Sequence, residues 1–266
     1  MVLLDKQLIL SVAKSRDIYE TPDLNDNLFL HGLGISSISH LPEYTNIVFL
    51  SLEQNSLTSL SVLNQFLNLR YLNVNNNSIT SIDFWVDLGN LDQLEQLHAS
   101  HNSIQNFVCE IFSPPKLKIL NLSHNKLNRL PNVSMMECLE VFNVSKNAID
   151  DCDIVNSLKI YLPKTLKQLY LGPNPFVSSI KRYRRTVLST LANESITLTY
   201  FDNAFVTAEE MEIVACIDAN EEISVRKKFE DMRREELNRR VSDLRYLQLM
   251  HDDTELGICQ YDFYDY

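Results

Sequence analysis

Residues 117–132 read LKILNLSHNKLNRLPN, and one asparagine, Asn125, stands among their regularly spaced leucines and isoleucines. The spacing is apolar-x-x-apolar-x-apolar-x-x-Asn-x-apolar-x-x-apolar. The same arrangement returns 22 residues later in LEVFNVSKNAIDDC, residues 139–152. A pattern that recurs in register predicts a chain built from stacked copies of one structural unit.

Seven copies of this spacing follow one another between residues 21 and 176. Six of them carry the asparagine, at intervals of 22–27 residues. The first copy, which contains Leu28 and Leu30, is degenerate and has Leu33 at the asparagine position. This is the pattern of a leucine-rich repeat. It predicts an α/β leucine-rich-repeat solenoid of about seven repeats, whose parallel strands form a concave sheet.

Each residue type in the repeat has a physical reason. Alternating apolar residues such as Leu120 and Leu122 form a short strand with one face turned inward. The chain then turns away from the sheet, and backbone N–H and C=O groups left inside that turn cost free energy unless they are hydrogen-bonded. An asparagine side chain supplies both a donor and an acceptor. We therefore predict a stacked asparagine ladder, which consists of Asn55, Asn77, Asn102, Asn125, Asn147 and Asn174.

The charge balance narrows the classes of partner. The chain has 266 residues, 45% of them hydrophobic, and 35 acidic against 24 basic residues give a net charge of −11. Nucleic acid is not an expected partner, since its phosphates attract basic surfaces.

The five cysteines lie at wide, irregular spacings, which favours free thiols in a reducing compartment. No apolar stretch approaches the roughly 18 residues of a membrane-spanning helix, so no membrane insertion is predicted.

Neither catalysis nor cofactor binding is predicted. The chain has only five glycines and no Gly-rich phosphate loop, and no local motif groups a nucleophile with a base. His101 and His124 occupy the same position in adjacent repeats, so their rings are expected to approach each other. Two histidines without an acidic or thiol partner make a poor metal site.

Both ends of the repeats need segments that cover their apolar cores. Residues 1–20 contain an apolar run that Asp5 and Lys6 interrupt, and they predict a helical cap rather than a signal peptide. The repeats end at residue 176, and residues 177–206 predict a helix followed by the strand ITLTYFD. The residues expected to pack this C-terminal cap on the last repeat are Tyr183, Leu188, Tyr200 and Asp202.

Residues 207–250 differ in character from the rest of the chain. They contain no Gly or Pro, carry dense mixed charge and keep apolar residues at three-to-four spacing. Thr207 followed by Glu210 matches a capping box, which indicates a helix start. The segment predicts a charged helical extension that folds back or is solvated, or else docks on a partner or pairs as a short coiled coil. Residues 251–266 are expected to form an acidic aromatic tail.

The concave face of the predicted sheet is the candidate binding surface. It consists of the side chains between the inward leucines, which are mostly polar and uncharged, with aromatic residues at both ends. A solvated sheet is the alternative interpretation, but repeats commonly build concave surfaces that serve in binding. The predicted protein-binding residues are Phe29, His31, Phe49, Glu53, Tyr71, Asn73, His98, Asn121, Asn143 and Tyr170.

Two segments at the ends of the repeats resemble known families. NPF…YRRTVL…LTYFD, within residues 174–202, is similar to the cap of the cytoplasmic and ciliary leucine-rich-repeat proteins. YETPDLNDNLFLHGLGISSISHLPEYTNI, residues 19–47, closely resembles the segment before the first full repeat of the dynein axonemal assembly factor 1 family. The residues that carry this match are Tyr19, Thr21, Pro22, Leu24, Asn25, Asp26, Leu28, Leu30 and His31. After the last strand, Asp202-Asn203-Ala204-Phe205-Val206 stands where the family usually has Asp-Asp-Arg-Pro-Val-Phe.

The resemblance implies a non-enzymatic scaffold for the cytoplasmic preassembly of axonemal dynein arms, needed for motile cilia or flagella. The implied partners are axonemal dynein subunits, chaperones or other assembly factors, bound by a monomer in the cytoplasm or the cilium. Two alternatives stay open: a leucine-rich-repeat regulator of protein phosphatase 1, and a structural axonemal component bound to dynein or microtubules. A regulator is expected to co-purify with the phosphatase, and a structural component to stay with extracted axonemes.

Overall fold

The structure is a computed structural model that describes residues 2–16, 18–109, 114–216 and 219–257. The chain divides into two compact units, Met1–Val206 and Thr207–Tyr266. The first unit contains the repeats and the segments that cover their ends, and the second contains the charged extension.

The described residues form thirteen strands. They are β1 (Val2–Leu4), β2 (Asn27–Phe29), β3 (Ile35–Ile38), β4 (Phe49–Ser51), β5 (Tyr71–Asn73), β6 (Ser81–Asp83), β7 (Gln96–His98), β8 (Asn106–Val108), β9 (Ile119–Asn121), β10 (Val141–Asn143), β11 (Gln168–Tyr170), β12 (Tyr200–Phe201) and β13 (Ala204–Phe205). Nine of them form the main sheet, in the order β13-β12-β11-β10-β9-β7-β5-β4-β2. Neighbours in this sheet are parallel, apart from the antiparallel pair β12–β13. The predicted α/β leucine-rich-repeat solenoid is confirmed.

Six helices lie in the described residues. They are α1 (Lys6–Val12), α2 (Phe84–Leu88), α3 (Ile154–Tyr161), α4 (Tyr183–Asn193), α5 (Ala208–Ala215) and α6 (Ala219–Gly257). Short 3-10 helices occupy Ala13–Ser15, Pro22–Leu24, Ser61–Gln65 and Pro175–Ser179. Among the described helices, none combines the length and the apolar character that a bilayer crossing demands.

The inward side chains of the main sheet form the core of the first unit. In β9, Leu120 is fully buried, whereas Ile119 and Asn121 on either side of it are half-buried. Leu120 lies beside Leu97 of β7 and Phe142 of β10, in register. One repeat cannot bury its own apolar face, so each repeat buries it against its neighbours.

The N-terminal segment differs from the predicted helical cap at residues 2–4, which form β1 and pair in parallel with β3. The helix α1 begins after Asp5, whose side chain accepts a hydrogen bond from the Leu8 N–H at 2.8 Å. Asp5 is the N-cap residue, and its backbone is extended rather than helical. The helix therefore begins after Asp5, and the apolar residues before it form a strand. Ile9 and Ala13 are buried and cover the first repeat.

Arginine side chains bond backbone carbonyls at both ends of the main sheet. Arg16 donates hydrogen bonds to the carbonyl oxygens of Phe29 and His31, at 3.0 and 2.8 Å. At the other end, Arg184 donates to those of Phe201 and Phe205, at 2.8 and 3.1 Å. A sheet edge exposes backbone groups that can pair with another chain. The two arginines therefore help to close the ends of the sheet.

The C-terminal cap joins α4 to the last repeat. Leu188 of α4 is buried together with its neighbours Val187 and Leu191. The Tyr183 hydroxyl donates to Oδ2 of Asp202 at 3.1 Å. Oδ1 of Asp202 accepts from the N–H groups of Leu171 and Gly172, at 2.7 and 3.0 Å. One carboxylate thus connects the cap helix to backbone groups of the last repeat.

The second unit consists of α5 and α6, which pack on each other. The Thr207 hydroxyl accepts from the Glu210 N–H at 3.1 Å, as the capping box predicts. Salt bridges Lys228–Glu212 and Arg233–Glu209 join the two helices, with N–O distances of 2.9 and 3.2 Å.

The helix α6 runs to Gly257, so residues 251–257 are helical where a tail was expected. No Gly or Pro interrupts the helix before that point. Residues 258–266 of the predicted tail lie outside the described residues.

Candidate protein-binding surface

Three rows of side chains cover the concave face, because alternate residues of each strand point away from the core. The in-register pairing places equivalent residues side by side, as with Phe49 and Tyr71. The first row is Asn27, Phe49, Tyr71, Gln96, Ile119, Val141 and Gln168. The second row is Phe29, Ser51, Asn73, His98, Asn121, Asn143 and Tyr170. The third row is His31, Glu53, Asn75, Ser100, Ser123, Ser145 and Gly172.

Four rings from neighbouring strands of the main sheet, β2, β4, β5 and β7, contact one another at the N-terminal end of this face. The ring centroids of Phe29 and Phe49 are 4.9 Å apart, and those of Tyr71 and His98 are 5.1 Å apart. Between them, Phe49 and Tyr71 stack at 4.2 Å and 7°. We call these four residues the aromatic row. Phe29 is 44% exposed, so the row presents apolar surface to solvent.

The polar members of the aromatic row are neutral near pH 7. Burial lowers the pKa of His98 below its ordinary value of 6.5. Burial, and then the negative charge of Glu53, raise the pKa of Tyr71. The row therefore presents an uncharged aromatic surface.

Glu53 belongs to the third row of side chains and bonds Asn73, which pairs in register with His98 of the aromatic row. Its carboxylate accepts hydrogen bonds from the Asn73 and Asn76 side-chain amides, at 3.1 and 3.3 Å. These bonds hold the carboxylate in place while the side chain stays half-buried. Among the side chains of the three rows, all of which lie in the described residues, Glu53 is the one carboxylate, and the rows contain no lysine or arginine.

The centre of the concave face is uncharged and mostly polar, apart from Ile119 and Val141 of the first row. Asn121 and Asn143 each accept a hydrogen bond from the N–H two residues further on, both at 3.0 Å. His31, at the N-terminal edge, is exposed and uses its carbonyl to accept from Arg16. The predicted surface residues thus occupy one continuous face, and the aromatic row is the part where their side chains contact one another across four strands.

A second aromatic group lies at the C-terminal end of the face. The centroids of Tyr170 and Tyr200 are 5.5 Å apart, and Phe205 meets Tyr200 edge-on at 5.2 Å. Tyr200 was expected inside the cap, but strand alternation turns Phe201 inward, where it is fully buried, and leaves Tyr200 beside Tyr170. Sequence reasoning missed Phe205, which is 75% exposed. Its position depends on β13 folding back on β12.

Comparison with known proteins identifies the type of repeat. The family described as Leucine Rich repeats (2 copies) matches residues 67–109. The dynein axonemal assembly factor 1 homolog of Drosophila yakuba is 38% identical over 211 residues, which are 78% of this chain and 13% of that protein. The leucine-rich repeat-containing protein ODA7 of Chlamydomonas reinhardtii is 33% identical over 208 residues, 78% of this chain and 46% of that protein. This chain is a leucine-rich-repeat protein homologous to dynein axonemal assembly factor 1 proteins.

The resemblance predicted from residues 19–47 is thereby confirmed. The Drosophila melanogaster homolog matches at 38% identity over 78% of the leucine-rich-repeat chain and 14% of its own length. The chain thus spans less than half the length of each of these three relatives. Among solved structures, an internalin of Listeria monocytogenes aligns with a TM-score of 0.47 and 21% identity, over 73% of this chain and 58% of that one.

The asparagine ladder of this leucine-rich-repeat protein connects each repeat to the preceding one. Nδ2 of Asn125 donates to the carbonyl of Ala99 in the preceding repeat and to that of Leu122 in its own, at 2.9 and 3.0 Å. Its Oδ1 accepts from the Ile104 N–H at 3.0 Å. The other ladder residues donate to the preceding repeat in the same way; they are Asn55, Asn77, Asn102, Asn147 and Asn174.

The residue before a ladder asparagine has a left-handed backbone in five repeats, which sequence reasoning missed. These residues are Gln54, Asn76, His101, His124 and Lys146, with φ between 53° and 56°. Their alignment stacks the rings of His101 and His124, with centroids 3.9 Å apart. Burial, followed by His101 and Lys146, lowers the pKa of His124. Within the described residues, no group of three or more His, Cys, Asp or Glu side chains is arranged to hold a metal ion.

Proposed function

We propose that this chain is a non-enzymatic scaffold for the cytoplasmic preassembly of axonemal dynein arms, and that motile cilia or flagella need it. The observation that carries the proposal is the 38% identity, over 78% of the chain, to proteins named dynein axonemal assembly factor 1 homolog. The 33% identity to the ODA7 protein of Chlamydomonas reinhardtii supports it. The proposal concerns the part of the chain that aligns with these relatives.

The concave face is the surface by which the scaffold binds. A monomer presents it to axonemal dynein subunits, chaperones or other assembly factors. The rings of Phe29, Phe49 and Tyr71 already contact one another without a partner. A surface arranged before binding loses less conformational entropy when the partner docks. Preassembly therefore uses the repeats as a rigid template.

Aromatic residues carry the binding energy in this proposal. Interface hot spots are enriched in aromatic side chains, and truncation of one costs about 2 kcal/mol or more. The aromatic row lies at one end of the face, and Tyr170, Tyr200 and Phe205 lie at the other. The neutral asparagines and serines between them supply complementarity rather than anchoring energy.

The double substitution Phe49→Ala and Tyr71→Ala tests the surface. Both side chains are half-buried on an open sheet, so the fold is expected to persist while capture of the partner weakens by tenfold or more. The measurement is the amount of dynein heavy chain or chaperone recovered in a pull-down, with circular dichroism unchanged. In a flagellate cell, the same alleles are expected to immobilise flagella that lack dynein arms.

A matched double substitution of exposed apolar residues outside the concave face provides the control. Leu67 and Ile160 are 56% and 63% exposed, and Leu67→Ala with Ile160→Ala is expected to leave capture and motility unchanged. Normal capture and normal motility in the Phe49 and Tyr71 variant would rule out the concave face as the docking surface.

A further inference from the structure

Unlike Glu95 and Glu140 beside the main sheet, Glu53 has no cationic partner among the described residues. Glu95 lies 2.8 Å from Nζ of Lys118 and 3.8 Å from a guanidinium nitrogen of Arg70. Glu140 likewise pairs with Lys167 at 2.9 Å. Within the described residues, Glu53 bonds only neutral amides, those of Asn73 and Asn76. A carboxylate held in place on a binding face is therefore free to pair with a charge from another molecule.

The aromatic row also suits the methylene stem of a long side chain. Phe49 and Tyr71 stack on each other at 4.2 Å, and Phe29 and His98 contact their other faces, so another molecule meets the row from its solvent side. An arginine can bury its apolar stem along such a surface while its charged end bonds elsewhere. The negative charge of Glu53 reaches this site, since it contributes to the raised pKa of Tyr71.

We propose that the aromatic row and Glu53 together bind an arginine side chain of the protein partner. The arginine stem packs on Phe49 and Tyr71, and its guanidinium donates hydrogen bonds to the Glu53 carboxylate. This inference rests on the proposed function in taking the concave face as the docking surface, and it names the chemistry of the segment that docks there.

Three physical arguments select arginine. Its guanidinium is planar and bonds a carboxylate through two N–H groups at once. The three rows hold no lysine or arginine that competes for Glu53. The net charge of −11 also attracts basic segments at long range.

The test compares two synthetic peptides of the same length, acetyl-Ala-Leu-Arg-Leu-Ala-amide and the peptide with citrulline in place of arginine. Citrulline keeps the shape of arginine but is uncharged. The full chain, isotope-labelled, is titrated with each peptide, and Kd is taken from the NMR shifts of the Tyr71 and His98 rings. The arginine peptide is expected to bind about twofold to fivefold more tightly, and added salt is expected to reduce the difference.

Two variants and a control assign the binding to its residues. Glu53→Gln keeps the size of the side chain and is expected to bind both peptides equally. Glu95→Gln, the matched control at a carboxylate that is already paired, is expected to keep the preference for arginine. Tyr71→Leu removes the ring on which the stem packs and is expected to weaken both peptides, because arginine and citrulline share that stem.

Three results would overturn the proposal: equal affinity of the two peptides for the unmodified chain, an undiminished preference in Glu53→Gln, or no saturable shift of the aromatic row at millimolar peptide. The titration contains no dynein and no chaperone. A failed pull-down with an intact arginine preference would count against the assembly role alone. A normal pull-down without that preference would count against the arginine site alone.

Discussion

At the scale of single residues, Asn125 shows how one side chain holds two repeats together. Its amide donates to the Ala99 and Leu122 carbonyls and accepts from the Ile104 N–H, while the residue is buried. Buried backbone groups that lose such partners keep the full cost of having left water. The ladder is therefore expected to act on stability rather than on binding.

We predict that Asn125→Ala lowers the free energy of unfolding by about 1–3 kcal/mol, since four backbone groups each lose a hydrogen bond to this side chain. Thermal or urea unfolding of the purified chain measures this change. Asn128→Ala, at an exposed asparagine of the same repeat, is the control and is expected to unfold like the unmodified chain. Equal melting temperatures for the two variants would remove the structural role of the ladder.

At the scale of elements, the C-terminal cap depends on the contact between α4 and the turn after β12. The Tyr183 hydroxyl donates to Asp202, whose other oxygen binds the last repeat. Burial, then the negative charge of Asp202 and the hydrogen bond to it, raise the pKa of Tyr183 above its ordinary value of 10.0. The neutral phenol is thus the form that the folded cap requires.

This contact predicts a stability change at alkaline pH. In the unfolded chain Tyr183 ionises near pH 10.0, whereas in the folded chain it stays protonated to a higher pH. Its contribution is therefore fully present below pH 10.0 and is lost as the pH rises above that value, by up to about 1.4 kcal/mol per pH unit. Tyr183→Phe is expected to destabilise the chain by about 1–3 kcal/mol at pH 7. The difference from the unmodified chain should shrink above pH 10.

Urea unfolding at several pH values from 7 to 11 measures the free energy of unfolding of Tyr183→Phe and of the unmodified chain. Tyr19→Phe serves as the control, because Tyr19 is 61% exposed and lies outside the cap. It is expected to follow the unmodified chain at every pH. A gap between Tyr183→Phe and the unmodified chain that stays constant over the whole range would contradict the role of the Tyr183 phenol in the cap.

At the scale of the whole molecule, stability comes from contacts between neighbouring repeats. Leu171 and Phe176 of the last repeat are fully buried, and no eighth repeat follows them in the described residues. The cap takes the place of that repeat, through Val187, Leu191 and Phe201. Terminal segments with a polar outer face are what keep a solenoid soluble.

We predict that a chain ending at residue 206 stays monomeric and unfolds cooperatively, whereas one ending at residue 176 self-associates. Removing residues 177–206 uncovers the apolar end of the last repeat, as deletion of that segment from the full chain also would. Light scattering and thermal unfolding of the two truncations make the comparison. A cooperative, monomeric chain that ends at residue 176 would mean that residues 177–206 are not the cap.

Much of the fold and part of the candidate surface could be predicted, for reasons that particular residues illustrate. The spacing around Asn125 is local, so it indicates strands and turns without knowledge of neighbours. The same spacing places Phe49 and Tyr71 on the concave face. The unpaired state of Glu53 could not be predicted, because it depends on which side chains the adjacent repeats bring near it. Arg16 was missed because it bonds backbone carbonyls, those of Phe29 and His31. Every residue type has such a carbonyl, so the sequence does not show which ones an arginine will bond.

The sequence by itself determined the repeat, its parallel sheet and the face on which the polar and aromatic side chains lie, because burial in a strand alternates with a period of two. Tertiary structure alone decided that the rings of Phe29, Phe49, Tyr71 and His98 touch. It also decided that Tyr200 joins the concave face rather than the cap. Such contacts depend on the register between strands and on the space left by neighbouring side chains. Residues 20 or more positions apart in the sequence determine both.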